Sequence, residues 1–109
     1  MNKLPKEVAE ISDMFCGCGE PEKAWQSILD RLEDSTATRW TLPVDSGLDY
    51  ILVYLLDYLK LTEHGTTCRF SWLTRKGEIV LKFLQEYGVD WEDKLLFVAS
   101  DGTHYGKLE

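Results

Sequence analysis

Apolar residues recur along this 109-residue chain at intervals that switch from helical to extended and back, and the breaks between them fall at glycine and proline. Leu4, Val8, Ile11 and Phe15 are three or four residues apart, and Pro5 suits a first-turn position, so the spacing predicts a short amphipathic helix over 5–15. Pro21 opens a second pattern, in which Ala24, Trp25, Ile28, Leu29 and Leu32 form a stripe opposite Glu22, Lys23, Asp30 and Glu33. A helix from 21 to about 34 is expected there. Residues 35–47 are rich in turn formers, although 39–42 would suit a short strand.

Between 48 and 61 only Asp49, Asp57 and Lys60 interrupt the apolar residues. The run is long for a strand, and a helix apolar nearly all round is expected to be buried on most sides, which makes it the central helix of the fold. Extended, β-branched and aromatic residues then flank Gly65, Thr66 and Thr67, the pattern of a hairpin with a short loop. Thr74 is a suitable cap for a helix with its stripe at Ile79, Val80, Phe83, Leu84 and Tyr87, stopped by Gly88. Near the end, Asp101-Gly102 lies between two extendable segments and predicts a further hairpin, with a helix over 91–97 as its rival. These elements fit one mainly helical α+β domain spanning 1–109.

Charge narrows the partners. Nineteen acidic residues against twelve basic ones give a net charge of -7, which disfavours generic nucleic-acid binding, because a chain that neutralises phosphates must present a basic face. Arg69, Arg75, Lys76 and Lys82 do cluster, as they would on an ordinary solvated face. The longest apolar stretch, over 51–56, is far short of the roughly 20 residues that span a bilayer, so no membrane association is expected and the cytoplasm is the expected location. An odd cysteine count agrees with a reducing compartment.

The stretch YLLDYLKLTEHGTTCRFSWLTRKGEIVLKFL, residues 54–84, resembles the closing part of winged-helix domains. There a helix leads into a "leucine, threonine, glutamate" strand, a wing, and a "leucine-threonine-x-lysine-glycine" start to another helix. Leu59-Lys60-Leu61-Thr62-Glu63-His64 and Leu73-Thr74-Arg75-Lys76-Gly77 carry the match. The resemblance implies a winged-helix-like arrangement of three helices, a β-hairpin and a further helix, with the C-terminal hairpin added. The chain is also similar to uncharacterised small bacteriophage proteins with a "CGCG-x-PE" start and a "LTEHG...SWLT-x-KG" centre, which implies a phage-encoded protein but no particular activity.

DNA-binding winged helices read the major groove with the helix before the wing, which needs outward polar and basic side chains. In this chain that helix is DYILVYLLDYL, with aspartates and no arginine. The departure favours a noncatalytic protein-binding adaptor or modulator, with a homodimer also allowed. The alternative is a DNA-binding transcriptional regulator that would contact phosphates through Arg69, Arg75 and Lys76.

Two cysteines separated by one glycine, in FCGCGEPE, raise the question of a metal. Cys16, Cys18, His64 and Cys68 together would make a complete tetrahedral set for a structural zinc, with no open position for catalysis. One intervening residue is tighter than the usual two to four, so the preferred reading is a glycine-rich helix entry beside Trp25 with no cofactor. His64 and His104, with Asp101, Ser71 or Cys68 nearby in sequence, form no recognisable catalytic motif, and no enzyme is expected.

Overall fold

The computed structural model describes residues 2–15, 19–37, 47–64 and 71–106. In chain order the elements are β1 (Asn2–Lys3), α1 (Lys6–Met14), α2 (Pro21–Ala37), α3 (Gly47–Tyr58), β2 (Thr62–His64), β3 (Ser71–Leu73), α4 (Arg75–Tyr87), α5 (Trp91–Lys94), β4 (Leu96–Val98) and β5 (His104–Gly106). The result is a mainly helical α+β protein with two small sheets, as the periodicity predicts.

Helix α1 buries Val8 and Ile11, and the preceding Leu4 is buried with them. Helix α2 runs three residues past the expected end. Ser35 is buried and donates its hydroxyl to the Arg31 carbonyl at 3.0 Å, so Arg31 and Ser35 continue the face that begins at Trp25 and Ile28. Polar residue types at these positions hide that continuation from a hydrophobicity pattern.

The expectation that fails is the central, nearly enclosed α3. Val53 and Leu56 are fully buried, yet Ile51, Tyr54 and Tyr58 stand in solvent on the opposite side of the helix. At 100° per residue, positions 51, 54 and 58 fall within one narrow sector facing away from 53 and 56. The helix also ends at Tyr58, before the expected Leu61, in a turn where the Leu61 amide bonds to the Leu56 carbonyl and the Lys60 amide to that of Asp57, both at 3.0 Å. This is the Schellman pattern, and it places Lys60 in the left-handed region at φ 67°. Replacing Lys60 by glycine should therefore raise stability by about 1 kcal/mol, since a side chain in this conformation costs roughly that much. Denaturant titration is the check, and the midpoint should move up with an unchanged slope.

Strands β2 and β3 pair antiparallel, Thr62 opposite Leu73 and Glu63 opposite Trp72. Alternation puts Thr62 inward, where it is buried, and turns Glu63 and Trp72 outward. The predicted loop at 65–67 and the strand suggested for 39–42 lie outside the described residues.

Thr74 caps α4 as expected: its hydroxyl accepts from the Gly77 amide at 3.1 Å and donates towards the Leu61 carbonyl. Gly88 stops the helix. The C-terminal alternatives both occur in part, because α5 takes four residues and β4 and β5 then pair antiparallel. Gly102, at φ 90°, closes the turn within their five-residue connection by donating to the Ala99 carbonyl at 3.0 Å. Strand β1, absent from the sequence expectation, pairs parallel with β4 and completes the sheet order β1-β4-β5.

Trp25, Phe83, Trp91 and Phe97 meet in the core, with mostly edge-to-face ring contacts at 5.2–6.0 Å. These four residues come from α2, α4, α5 and β4, so one aromatic cluster joins the helices to the C-terminal sheet. Among the described residues the core occupies one side of α3, and Ile51, Tyr54 and Tyr58 on the other side are exposed.

Candidate functional site: the outer face of α3 and the hairpin edge

Three large side chains dominate the outer face of α3, with relative exposures of 65% for Ile51, 59% for Tyr54 and 80% for Tyr58. Single exposed apolar residues are ordinary on a protein surface, but three in register on one helix face are the arrangement that marks contact surfaces. At the C-terminal end of the helix, Asp57, Lys60, Thr62, Glu63 and Trp72 line one shallow depression. Asp57 is held there by the Thr62 hydroxyl, which donates to its carboxylate at 2.6 Å. Trp72 is 43% exposed, and its outward strand position places it at the depression's edge. Tyrosine and tryptophan are the side chains that most often anchor protein interfaces, since each offers large area at low conformational cost.

The basic cluster is not a uniform free patch. Lys76 reaches across to α1 and pairs with Glu10 at 2.8 Å, which lowers the Glu10 carboxyl below its usual range, first through that hydrogen bond. Arg75 and Lys82 are exposed beside Leu73, Ile79 and Leu81 along an open groove, and Arg69 lies outside the described residues. Glu10 and Lys76 are 66 positions apart, and no local pattern signals that pairing.

Cys16, Cys18 and Cys68 also lie outside the described residues, and His64 is placed only as the end of β2. Among the described residues no group of three or more His, Cys, Asp or Glu side chains is positioned to hold a metal. Beside Trp25, where α2 is entered, the Phe15 ring meets the indole edge-on at 5.2 Å. His104 is exposed on β5, and the neighbouring Asp101 carboxylate accepts from the Thr103 amide at 2.9 Å as part of the turn.

Two other polar contacts tie elements together. The Tyr105 hydroxyl donates to Asp13 at 2.7 Å, joining β5 to α1, and this hydrogen bond, with desolvation and the nearby carboxylates, pushes the phenol up to about 12. Glu22 on α2 faces Asp93 on α5, and the hydrogen bond they share raises the Glu22 carboxyl above its usual range. A raised folded-state value favours the protonated form, so this pair supports the fold at low pH and loses that contribution as pH rises through the folded-state value. Glu22→Gln should abolish this pH dependence while leaving the melting temperature at acidic pH unchanged, as read from thermal melts across the carboxylate range.

No helix among the described residues is long and apolar enough to cross a membrane. Comparison with protein-family models, with curated proteins and with solved structures finds no match to this chain.

Proposed function

We propose that this protein is a small acidic noncatalytic adaptor or modulator, winged-helix-like in its central part, that docks on another protein through the outer face of α3 and the neighbouring edge of the hairpin. The observation that carries the reading is the alignment of exposed Ile51, Tyr54 and Tyr58 on a helix whose other side is buried. The order of three helices, a hairpin and a further helix agrees with the winged-helix resemblance. In that arrangement the helix before the wing is the one that would enter a DNA groove. Here its outer face carries apolar and aromatic groups with Asp57 at its flank, which suits a protein surface and opposes a phosphate backbone.

The test compares wild type with a Tyr54→Ser/Tyr58→Ser double variant in affinity capture from a host lysate. A protein held by wild type and lost from the variant, at unchanged melting temperature, is the expected result. Identical capture by both would end the docking reading. The DNA-binding alternative is decided by a mobility shift at low salt, where electrostatic attraction is strongest. A shifted duplex that is released by Arg75→Ala would favour the regulator over the adaptor.

A further inference from the structure

Two features of the α3 face identify its occupant more closely, and both rest on the docking reading above. The first is size. Ile51, Tyr54, Tyr58 and Trp72 at their observed exposures present on the order of 500 Å² of surface. That is at the upper end of what one surface patch offers, yet below the roughly 800 Å² that each partner contributes to a standard stable interface. Those four described side chains alone fall short of what a lasting dimer of two copies docked through this face would need. A single helix laid along α3 needs no more than this.

The second feature is charge. Asp57 and Glu63 flank the apolar positions, and among the described residues lining the depression Lys60 is the one cation. The last turn of α3 contains no basic residue, so the negative end of the helix dipole adds to the two carboxylates. The whole chain contributes its -7 at longer range. A second copy would bring like charges together at this rim, whereas a cationic segment is drawn to it.

We propose that the outer face of α3, with Trp72 and Glu63, binds an amphipathic helical segment of another protein that has apolar residues on one side and lysine or arginine along its flank. Its apolar anchors lie over Ile51, Tyr54 and Tyr58, and its cations meet Asp57 and Glu63 at the C-terminal end of the helix.

The probe is a fluorescein-labelled peptide of leucine and lysine, about 18 residues long so that it can hold helical structure, compared with its leucine and glutamate counterpart. Binding is followed by fluorescence anisotropy. Wild type should bind the lysine peptide at least about tenfold more tightly than does Tyr54→Ser/Tyr58→Ser, the loss expected when interface anchors are truncated. Glu63→Lys should weaken binding roughly threefold or more, with the effect shrinking at high salt. Equal binding by wild type and the tyrosine variant would place the peptide elsewhere on the acidic surface and overturn the proposal. Tight binding of the glutamate peptide, lost in the tyrosine variant, would retain docking at this face and overturn the cationic partner. Failure of both peptides to bind also overturns the cationic-helix proposal, while lysate capture reports separately on the docking function. Sedimentation of the free chain adds one more outcome: a dimer that the tyrosine variant dissolves would assign the face to self-association and end the proposal.

Discussion

Gly77→Ala should destabilise the protein by about 2–3 kcal/mol, although alanine is the better helix former by roughly 1 kcal/mol. A β-carbon at position 77 would lie 2.0 Å from the Leu61 carbonyl oxygen and 3.2 Å from the Leu73 side chain. The oxygen belongs to the backbone and cannot swing aside like a flexible side chain. It also accepts the Thr74 amide at 3.0 Å, so moving it strains the junction between α3, the hairpin and α4. The overpacking cost and the weakened cap together exceed the gain in helix propensity. Gly19→Ala is the matched control, since nothing lies within 4 Å of the β-carbon it would add, and it should change stability by less than about 0.5 kcal/mol. Urea titration of the two variants beside wild type is the measurement. Equal stability of Gly77→Ala and wild type would mean that the close approach at Leu61 is absent in solution.

That glycine shows where sequence reading stops. By local propensity Gly77 is an unfavourable residue inside a good helix, and the demand for it comes from a carbonyl sixteen positions earlier. Helices α1, α2 and α4 were legible because each alternates buried apolar residues with charged ones at helical spacing. In α3 the contrast is missing. Leucine, tyrosine, isoleucine and valine cover almost every position, so nothing in the pattern marks which side faces solvent, and the expectation of burial on most sides follows from composition alone. Its end was equally unmarked, because lysine rather than glycine occupies the left-handed position. Strand β1 is two residues long and finds its partner more than ninety positions away, where no periodicity reaches.

The candidate site was legible in its residue types and not in its geometry. An excess of tyrosine and tryptophan, with acidic charge, argues for a protein partner from composition alone. Which aromatics are available could not be read: Trp91 and Trp25 are buried, Trp72 is exposed, and Tyr105 is bound to Asp13. The outward direction of Trp72 depends on hairpin register, since a slip by one residue would exchange it with the inward positions. Lys76 likewise looks available in the sequence and is engaged by Glu10 in the fold, which weakens the phosphate-binding alternative at one of its three named residues.

The larger expected effect belongs to the aromatic cluster. Trp91→Ala should cost about 3–5 kcal/mol, the range for truncating a large buried aromatic. Trp91 is completely buried and meets Trp25 at 6.0 Å, Phe83 at 5.3 Å and Phe97 at 5.2 Å. Its loss opens a cavity bordered by three elements at once, so α5 and the β1-β4-β5 sheet should loosen from the helices together. A domain of this size has about 5–15 kcal/mol in total, and the variant retains little of it at the low end of that range. Among the described residues the buried indole N–H of Trp91 has no hydrogen-bond partner, an arrangement that costs roughly 1–3 kcal/mol and that phenylalanine does not incur. Trp91→Phe should consequently be much milder than alanine, within about 2 kcal/mol of wild type, because the lost ring volume is offset by removal of the stranded donor. Chemical denaturation gives both values, and amide exchange across residues 96–106 reports whether the sheet detaches. If Trp91→Phe costs as much as Trp91→Ala, the indole N–H has a partner in solution and the cluster depends on that bond as well as on packing.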